Sequence, residues 1–445
     1  MKRTGWVFGA VAVAGVVALV APAVGQGKAE AGSLSWSRSR GGAAVTAYGF
    51  GAVDGGSSVT RWFRLGSSSA TNSGKLAIRL TGSSAFSITS DHCSGKSIGQ
   101  NLSCWISVAY APIGVGSPDS ATLRATGKQV AAARLDLSGC RAGALCHRVY
   151  WANLWGGEVN SVSAGGGTVT TLATGQYNTY SVAVDAARVY WAPWGGTPNN
   201  TGVGTVRAVP IGGGSVTTLA SGVGRPFSVA VDDTRVYWAN YGSTNLDGTV
   251  NDIPLGGGSV ETLAGNQHAP AAVAVDGGHV YWMNVGNGPD DGSVNEVPLG
   301  GGSVTALASN QDEPSSMAVH GGHVYWLNLY PGTVNEVPAD GGPVTTLASG
   351  QDSPQWVAVD GSFVYWTSGG TVKKVPLAGG KVTTLASGQD TPYALAVDDA
   401  YVYWTTIGDG QANGTGTVKA VPIDGGSVRT LATGQNGPFS LAVGP

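Results

Sequence analysis

Residues His323–Asp360 read HVYWLNLYPGTVNEVPADGGPVTTLASGQDSPQWVAVD. Four short runs of β-branched and aromatic residues stand out: the triplet Val324-Tyr325-Trp326, then Gly332–Pro338, Gly342–Ala348 and Val357–Asp360. Gly, Pro or Asp bounds each run, so each predicts a strand. The unit recurs. Val-Tyr-Trp occurs seven times, with its tryptophan at Trp151, Trp191, Trp238, Trp282, Trp326, Trp366 and Trp404, at intervals of 40, 47, 44, 44, 40 and 38 residues. A segment like Gly204–Pro210 follows each triplet and is degenerate in the first copy, Glu158–Ser163. Four strands in about 43 residues, repeated, predict the blades of a propeller.

A lone four-stranded blade leaves both faces wet, and stacking in a ring buries them. The first copy begins at Val-Tyr-Trp with no Ala-Val-Asp strand before it. The last ends in Ser440-Leu441-Ala442-Val443 with no triplet after it. The carboxy-terminal strand is therefore expected to fill the inner position of the first blade, giving a seven-bladed β-propeller of 28 strands over residues 140–445. A six-bladed ring with one imperfect copy is the alternative. The repeated tryptophan is expected in the core between blades.

This arrangement resembles the YWTD propellers of the low-density-lipoprotein-receptor class and the broader NHL/lyase-like propeller superfamily. Where that family carries an acid after Tyr-Trp-Thr, this chain has Asn153, Asn240, Asn284 and Asn328, or no counterpart.

Upstream, residues 33–139 alternate with period two. Leu76, Ile78 and Leu80 share a face, as do Phe86 and Ile88; Cys104, Ile106, Val108 and Tyr110; Leu123 and Ala125; and Leu135 and Leu137. Such alternation, broken by Gly, Ser and Asn clusters, predicts a β-sandwich. The order of these segments, with two cysteines around a Gly-containing loop and a strand ending Ala109-Tyr110-Ala111-Pro112, resembles the immunoglobulin-like ASH/Hydin and choice-of-anchor domains. The resemblance implies a spacer or adhesion module. The fold class expected overall is all-β, an immunoglobulin-like β-sandwich followed by a propeller.

The four cysteines, Cys93, Cys104, Cys140 and Cys146, fall in two close pairs, read as local disulfides of an exported chain. Neither spacing suits zinc. Met1-Lys2-Arg3, an uncharged Trp6–Val20 run and Ala21-Pro22-Ala23 read as a signal peptide, with a short linker to residue 32. An uncleaved anchor is the rival reading, and membrane contact is expected only in that case.

Composition narrows the function. The 445 residues carry 24 Lys+Arg against 27 Asp+Glu, a net charge of −3, which leaves no cationic excess for nucleic acid. No H-E-x-x-H, G-x-S-x-G or phosphate-binding loop is present. Catalytic residues, metal and cofactor are therefore expected to be none. Asp185, Asp232, Asp276, Asp360 and Asp398 end the Ala-Val strands and read as turn residues, and His279 and His323 as surface strand residues. Asp290-Asp291 and Asp247-Gly248 lack calcium-loop spacing.

Two loop sets are candidates for binding. The loops entering each Ala-Val strand carry Gln176, Gln267, Gln311, Gln351, Gln389 and Gln435, with Val223 in the remaining copy. These amides either line a channel mouth or bond backbone in their own turns. The loops after Val-Tyr-Trp vary in length and hold Trp155, Trp194, Tyr241 and Tyr330. Aromatic rings on variable loops of a rigid scaffold suit sugars or protein hot spots, or else cap neighbouring blades. The expected function is a secreted or cell-envelope, monomeric, non-enzymatic protein that binds protein or glycan. The alternatives are a propeller lyase or hydrolase, which needs His268, Asp312, Asp352 and Asp390 to converge, and a structural envelope or matrix protein.

Overall fold

A computed structural model describes residues 34–37, 47–53, 58–67, 73–100, 102–112, 119–128, 130–141, 147–195, 203–242, 246–286, 288, 290–408 and 414–444. The expected signal segment lies outside them. So does Cys146, and with it the second expected bridge. All the described elements are strands. The contacts divide the chain into two compact units that part between His147 and Arg148.

The first unit has two four-stranded sheets. One runs in the order Leu34–Ser37, Val59–Ser67, Ser103–Tyr110, Phe86–Asp91. The other runs Ala47–Val53, Val130–Arg141, Asp119–Gly127, Ala77–Gly82. Its first pair is parallel and the rest are antiparallel. One core joins both sheets: Trp36, Phe63, Leu65, Ile106 and Val108 from the first meet Leu123, Ala125, Leu135 and Leu137 from the second. The period-two faces supply that core. Cys93 and Cys104 are bonded, with Cα atoms 5.1 Å apart. Asp91 closes the loop by accepting the backbone N–H of Cys93 at 2.8 Å and of Ser94 at 2.9 Å.

The second unit holds seven four-stranded antiparallel sheets among the described residues, each joining the Ala-Val strand of one repeat to the three strands of the next, with the carboxy-terminal strand serving the first. Each sheet is a blade, and its strands are lettered a to d in spatial order. The a strands are Pro438–Gly444 in blade 1, Thr179–Val184 in 2, Pro226–Val231 in 3, Pro270–Asp276 in 4, Pro314–His320 in 5, Trp356–Val359 in 6 and Pro392–Val397 in 7. Each a strand touches the next, and Pro438–Gly444 touches both Pro392–Val397 and Thr179–Val184, so the contacts close a circle. The sheets thus form a β-propeller. The carboxy-terminal strand pairs with Arg148–Asn153 through Leu441↔Trp151 and Val443↔Val149.

The b strands carry Val-Tyr-Trp. Neighbouring residues of a strand point to opposite faces, so Tyr and Trp serve different blades. Trp238 packs with Tyr190, Val206 and Ala208 of the preceding blade. Trp191 packs with Tyr150 and Val159, Trp282 with Tyr237 and Val250, and Trp366 with Tyr325 and Val334. All seven tryptophans are fully buried. Burial of each ring is worth roughly 2–3 kcal/mol in water-exclusion terms. Buried hydroxyls bind one a strand to the next: the Ser181 hydroxyl accepts from Val229 N (3.1 Å), Ser228 from Val273 N (3.2 Å) and Ser316 from Val357 N (3.0 Å).

Candidate binding face

The d–a and b–c loops meet at one end of the propeller, and the backbone shows how. The residue before each a-strand Pro, or its counterpart Thr179, has positive φ: Asn178 (58°), Arg225 (45°), Ala269 (52°), Glu313 (46°), Ser353 (46°), Thr391 (40°) and Gly437 (68°). The left-handed turn aims that residue's carbonyl at the first b–c loop residue. Leu154 N donates to Gly437 O, Trp194 N to Asn178 O, Tyr241 N to Arg225 O, Val285 N to Ala269 O, Leu329 N to Glu313 O and Ile407 N to Thr391 O. Six non-glycine residues hold a conformation that costs about 1 kcal/mol or more each. The stitched loops over-determine it in five of them, all but Ser353.

The repeated glutamines are built into the next blade. The Nε2 of each donates to the carbonyl two residues earlier, as in Gln267 to Gly265 (2.8 Å) and Gln351 to Ser349 (2.8 Å). The Oε1 accepts the indole N–H of the following b strand: Trp151 to Gln435 (2.9 Å), Trp191 to Gln176 (2.9 Å), Trp282 to Gln267 (2.8 Å), Trp326 to Gln311 (2.9 Å) and Trp366 to Gln351 (3.2 Å). Gln389 accepts Lys419 instead (3.0 Å), and the Trp404 N–H is buried without a partner. Trp238, which faces Val223, is likewise without one.

That oxygen takes a second donor, and the blades divide by its source. Where strand b ends in Asn, the amide supplies it: Asn153 to Gln435 (3.2 Å), Asn284 to Gln267 (3.1 Å) and Asn328 to Gln311 (3.1 Å). Blades 2, 6 and 7 end that strand in Pro193, Ser368 and Thr406, and a cation opposite the tryptophan takes over. Arg207 reaches Gln176 (2.7 Å), Lys373 reaches Gln351 (3.0 Å) and Lys419 reaches Gln389. Blades 3, 4 and 5 hold Asn251, Asn295 and Asn335 at that register. This accounts for Asn153, Asn284 and Asn328 where the resembled family has an acid, since a carboxylate has no N–H to offer Gln Oε1, while Asn240, opposite no glutamine, donates to Thr249.

The acids serve turns. Asp185, Asp232, Asp360 and Asp398 each accept two backbone N–H groups and the phenol of the b-strand tyrosine, as in Tyr190 to Asp185 (2.7 Å) and Tyr403 to Asp398 (2.7 Å). Burial, and then the adjoining carboxylate, pushes both phenols far up. Burial followed by Glu296 and Asp276 raises Tyr281 to about 12. Asp276 and His320 precede Gly-Gly pairs with positive φ, which form tight hairpins on their own. His279 and His323 start b strands beside Glu296 (3.8 Å) and Glu336 (2.9 Å). His268 lies 3.7 Å from Asp291. Among the described residues, no group of three or more His, Cys, Asp or Glu is placed to hold a metal.

The aromatic residues are not spread evenly. Tyr330 is 52% exposed on blade 5. Trp155 packs against Gly437, where any side chain would collide with its ring. Trp194 and Tyr241 stand half-buried in a connected row. Trp194 meets Tyr180 at 4.8 Å, Tyr180 stacks on Phe227 at 4.9 Å and 16°, and Phe227 meets Tyr241 at 5.7 Å. The row continues through Phe439 (5.4 Å from Tyr180), Tyr393 (4.3 Å further) and Trp356 (5.8 Å). Phe439, Tyr180, Phe227 and Tyr393 are one residue position, the one after the a-strand Pro or its counterpart Thr179, in blades 1, 2, 3 and 7. Blades 4, 5 and 6 have Ala271, Ser315 and Gln355 there. Aligning the copies on that proline reveals the row; the Val-Tyr-Trp and glutamine patterns do not. Burial pushes the Tyr180 and Tyr241 phenols up, so both remain neutral hydroxyl donors.

No protein-family model and no curated protein matches this chain. Several solved structures are similar to it. One is titled a nidogen/laminin complex, 14% identical, with TM-score 0.45, over 67% of this chain and 98% of that one. Another is the designed protein Ika8, 19% identical, with TM-score 0.47, over 66% and 89%. A third is the WD40 β-propeller domain of Doa1, 17% identical, with TM-score 0.49, over 61% and 88%.

Proposed function

We propose that this protein is an exported, non-enzymatic binding or scaffold protein. In this reading an immunoglobulin-like spacer of the choice-of-anchor type carries a seven-bladed propeller, and the loop face of the propeller takes a protein or glycan ligand. One observation carries the reading: on a scaffold that repeats its structural residues blade after blade, the aromatic residue after the a-strand Pro, or after Thr179, is confined to the adjacent blades 7, 1, 2 and 3, where it builds the row. A ring needs only a sevenfold repeat to fold. Chemistry confined to one sector has a local purpose. The engaged glutamines and turn-bound aspartates favour structural roles for the repeated polar residues. The disulfide suits an oxidising compartment.

The test is a binding screen of the full chain against glycan and extracellular-protein arrays, repeated with Trp194→Ala and Tyr241→Ala. At least tenfold weaker binding by both variants is expected. A ligand bound equally well by all three proteins removes the aromatic sector from the reading.

A further inference from the structure

We propose that the Tyr180–Trp194–Tyr241 platform binds the flat apolar face of a pyranose within a glycan, with Arg225 bonding the sugar's hydroxyl or carboxylate oxygens. The inference rests on the loop-face reading and names its ligand class.

The platform is small, rigid and two-sided. Tyr180, Trp194 and Tyr241 are each partly open to solvent, whereas Phe227 (1% exposed) and Phe439 (7%) lie buried against them. Rings backed by rings lose little freedom when a ligand stacks on them. The three rings together offer about 250 Å² at most, taking a third of each ring's usual area. A stable protein interface needs roughly 800 Å² per partner, so the patch fits one or two sugar rings better than a protein. Carbohydrate recognition asks for apolar faces beside directional donors, and these are present. The Tyr180 and Tyr241 phenols stay protonated. The indole N–H of Trp194 is buried and has no acceptor among the described residues, so this ring offers its face and not its N–H. The Arg225 guanidinium stands 5.9 Å from the Trp194 ring centroid and donates to the Gly242 carbonyl at 3.3 Å. That bond takes one of its five N–H donors. The left-handed turn at Arg225 also fixes Tyr241 through the Tyr241 N to Arg225 O bond (3.0 Å), so the cation and the ring are positioned together.

The test titrates the full chain with chitohexaose, which is neutral, and an alginate hexamer, which carries carboxylates, following tryptophan fluorescence and calorimetry. Binding by at least one in the micromolar to millimolar range is expected, weakened tenfold or more by Trp194→Ala and by Tyr241→Phe combined with Tyr180→Phe. Arg225→Gln should weaken the alginate arm more than the chitohexaose arm. Tyr330→Ala, on blade 5, should leave both unchanged. Absence of saturable binding in both arms overturns the proposal, as does binding indifferent to Trp194. If neither sugar binds while a protein partner found in the array screen depends on Trp194 and Tyr241, the sugar assignment fails and the loop-face reading stands. If nothing bound depends on these rings, both fail.

Discussion

Blade 3 lacks the glutamine that the other six d–a loops carry, so restoring it should stabilise the propeller. Val223 occupies the glutamine position: it pairs with Gly204 as Gln267 pairs with Gly248 and Gln311 with Gly292. The preceding Gly222 has φ 75°, matching the left-handed Asn266 (56°) and Asn310 (56°). Val223→Gln therefore places Oε1 toward the partnerless N–H of the fully buried Trp238, and Nε2 toward the Ser221 carbonyl. Pairing a buried donor and adding one neutral bond is worth about 2–3 kcal/mol. The glutamine loses about 1.5 kcal/mol of side-chain freedom, and its two methylenes replace most of the apolar area of valine at about 0.8 kcal/mol each. The net gain is about 1 kcal/mol, or roughly 1–3 °C in Tm for a unit of this size. The reciprocal change, Gln267→Val, strips the acceptor from Trp282 and one of the two acceptors of Asn284, and should cost about 2–3 kcal/mol. Scanning calorimetry reads both shifts. A Val223→Gln protein that melts below the parent refutes the clamp.

Gly248→Ala puts a methyl group into Pro270 and 2.8 Å from the Gln267 carbonyl. Overpacking of this kind costs about 1–3 kcal/mol, and a chemical-denaturation midpoint that does not move refutes the contact. Removing residues 438–445 leaves blade 1 with three strands and opens the circle. The propeller transition should fall by more than about 10 °C, and a truncated form as stable as the parent refutes closure by that strand. Burial works against the Asp91 charge, but the Ser94 and Cys93 hydrogen bonds prevail and hold its carboxyl below the usual range. Its contribution is thus present above the ordinary carboxylate range and lost as pH falls through the depressed value. Asp91→Asn should flatten the acid-side decline in sandwich stability, and an unchanged decline refutes that source. Asn284→Asp trades a buried donor for a carboxylate beside Gln267 Oε1. It should destabilise by about 2–4 kcal/mol at neutral pH, less once the acid is protonated, and equal loss at both pH values counts against the two-donor account.

The all-β propeller was legible because its evidence is repeated: Val-Tyr-Trp marks each b strand, and the missing first and extra last Ala-Val strands mark the seam. The hydrophobic alternation of residues 76–137 marked strands whose buried faces meet in one core. What the sequence did not disclose depends on contacts across blades. Gln267 and Trp282 are fifteen residues apart with a whole strand between them, so local reading stops at the glutamine's own turn. Trp194 and Tyr241 stood out as loop aromatics, but their supports did not. Tyr180, Phe227, Phe439 and Tyr393 sit in strands that otherwise read as core, and only the register of seven a strands brings them together.

The seven copies also indicate which residues are free to diverge. Six carry Gly at or next to the start of strand c (Gly204, Gly248, Gly292, Gly332, Gly370 and Gly416) and are followed by a blade whose a strand is entered through Pro. A methyl group on Gly292 or Gly416 would stand 2.5 Å from the Cδ of Pro314 or Pro438. The first copy has Glu158 in that place, and blade 2 has Thr179 where the proline would be. The two positions change together, and in the copies of Gly204, Gly248, Gly292 and Gly416 they touch. The b-strand asparagine likewise gives way only where Arg207, Lys373 or Lys419 takes over its donor role. These two structural positions vary in compensated pairs, whereas Val223 replaces its glutamine without compensation. The position after the a-strand Pro varies otherwise: Phe439, Tyr180, Phe227 and Tyr393 give way to Ala271, Ser315 and Gln355, and the large residues run together around one arc. A blade-by-blade packing requirement would distribute ring and small residue in each blade alike. A contiguous arc of rings is the pattern expected of a requirement set from outside the scaffold, which is why binding is assigned to that arc and not to the glutamines that recur around the whole circle.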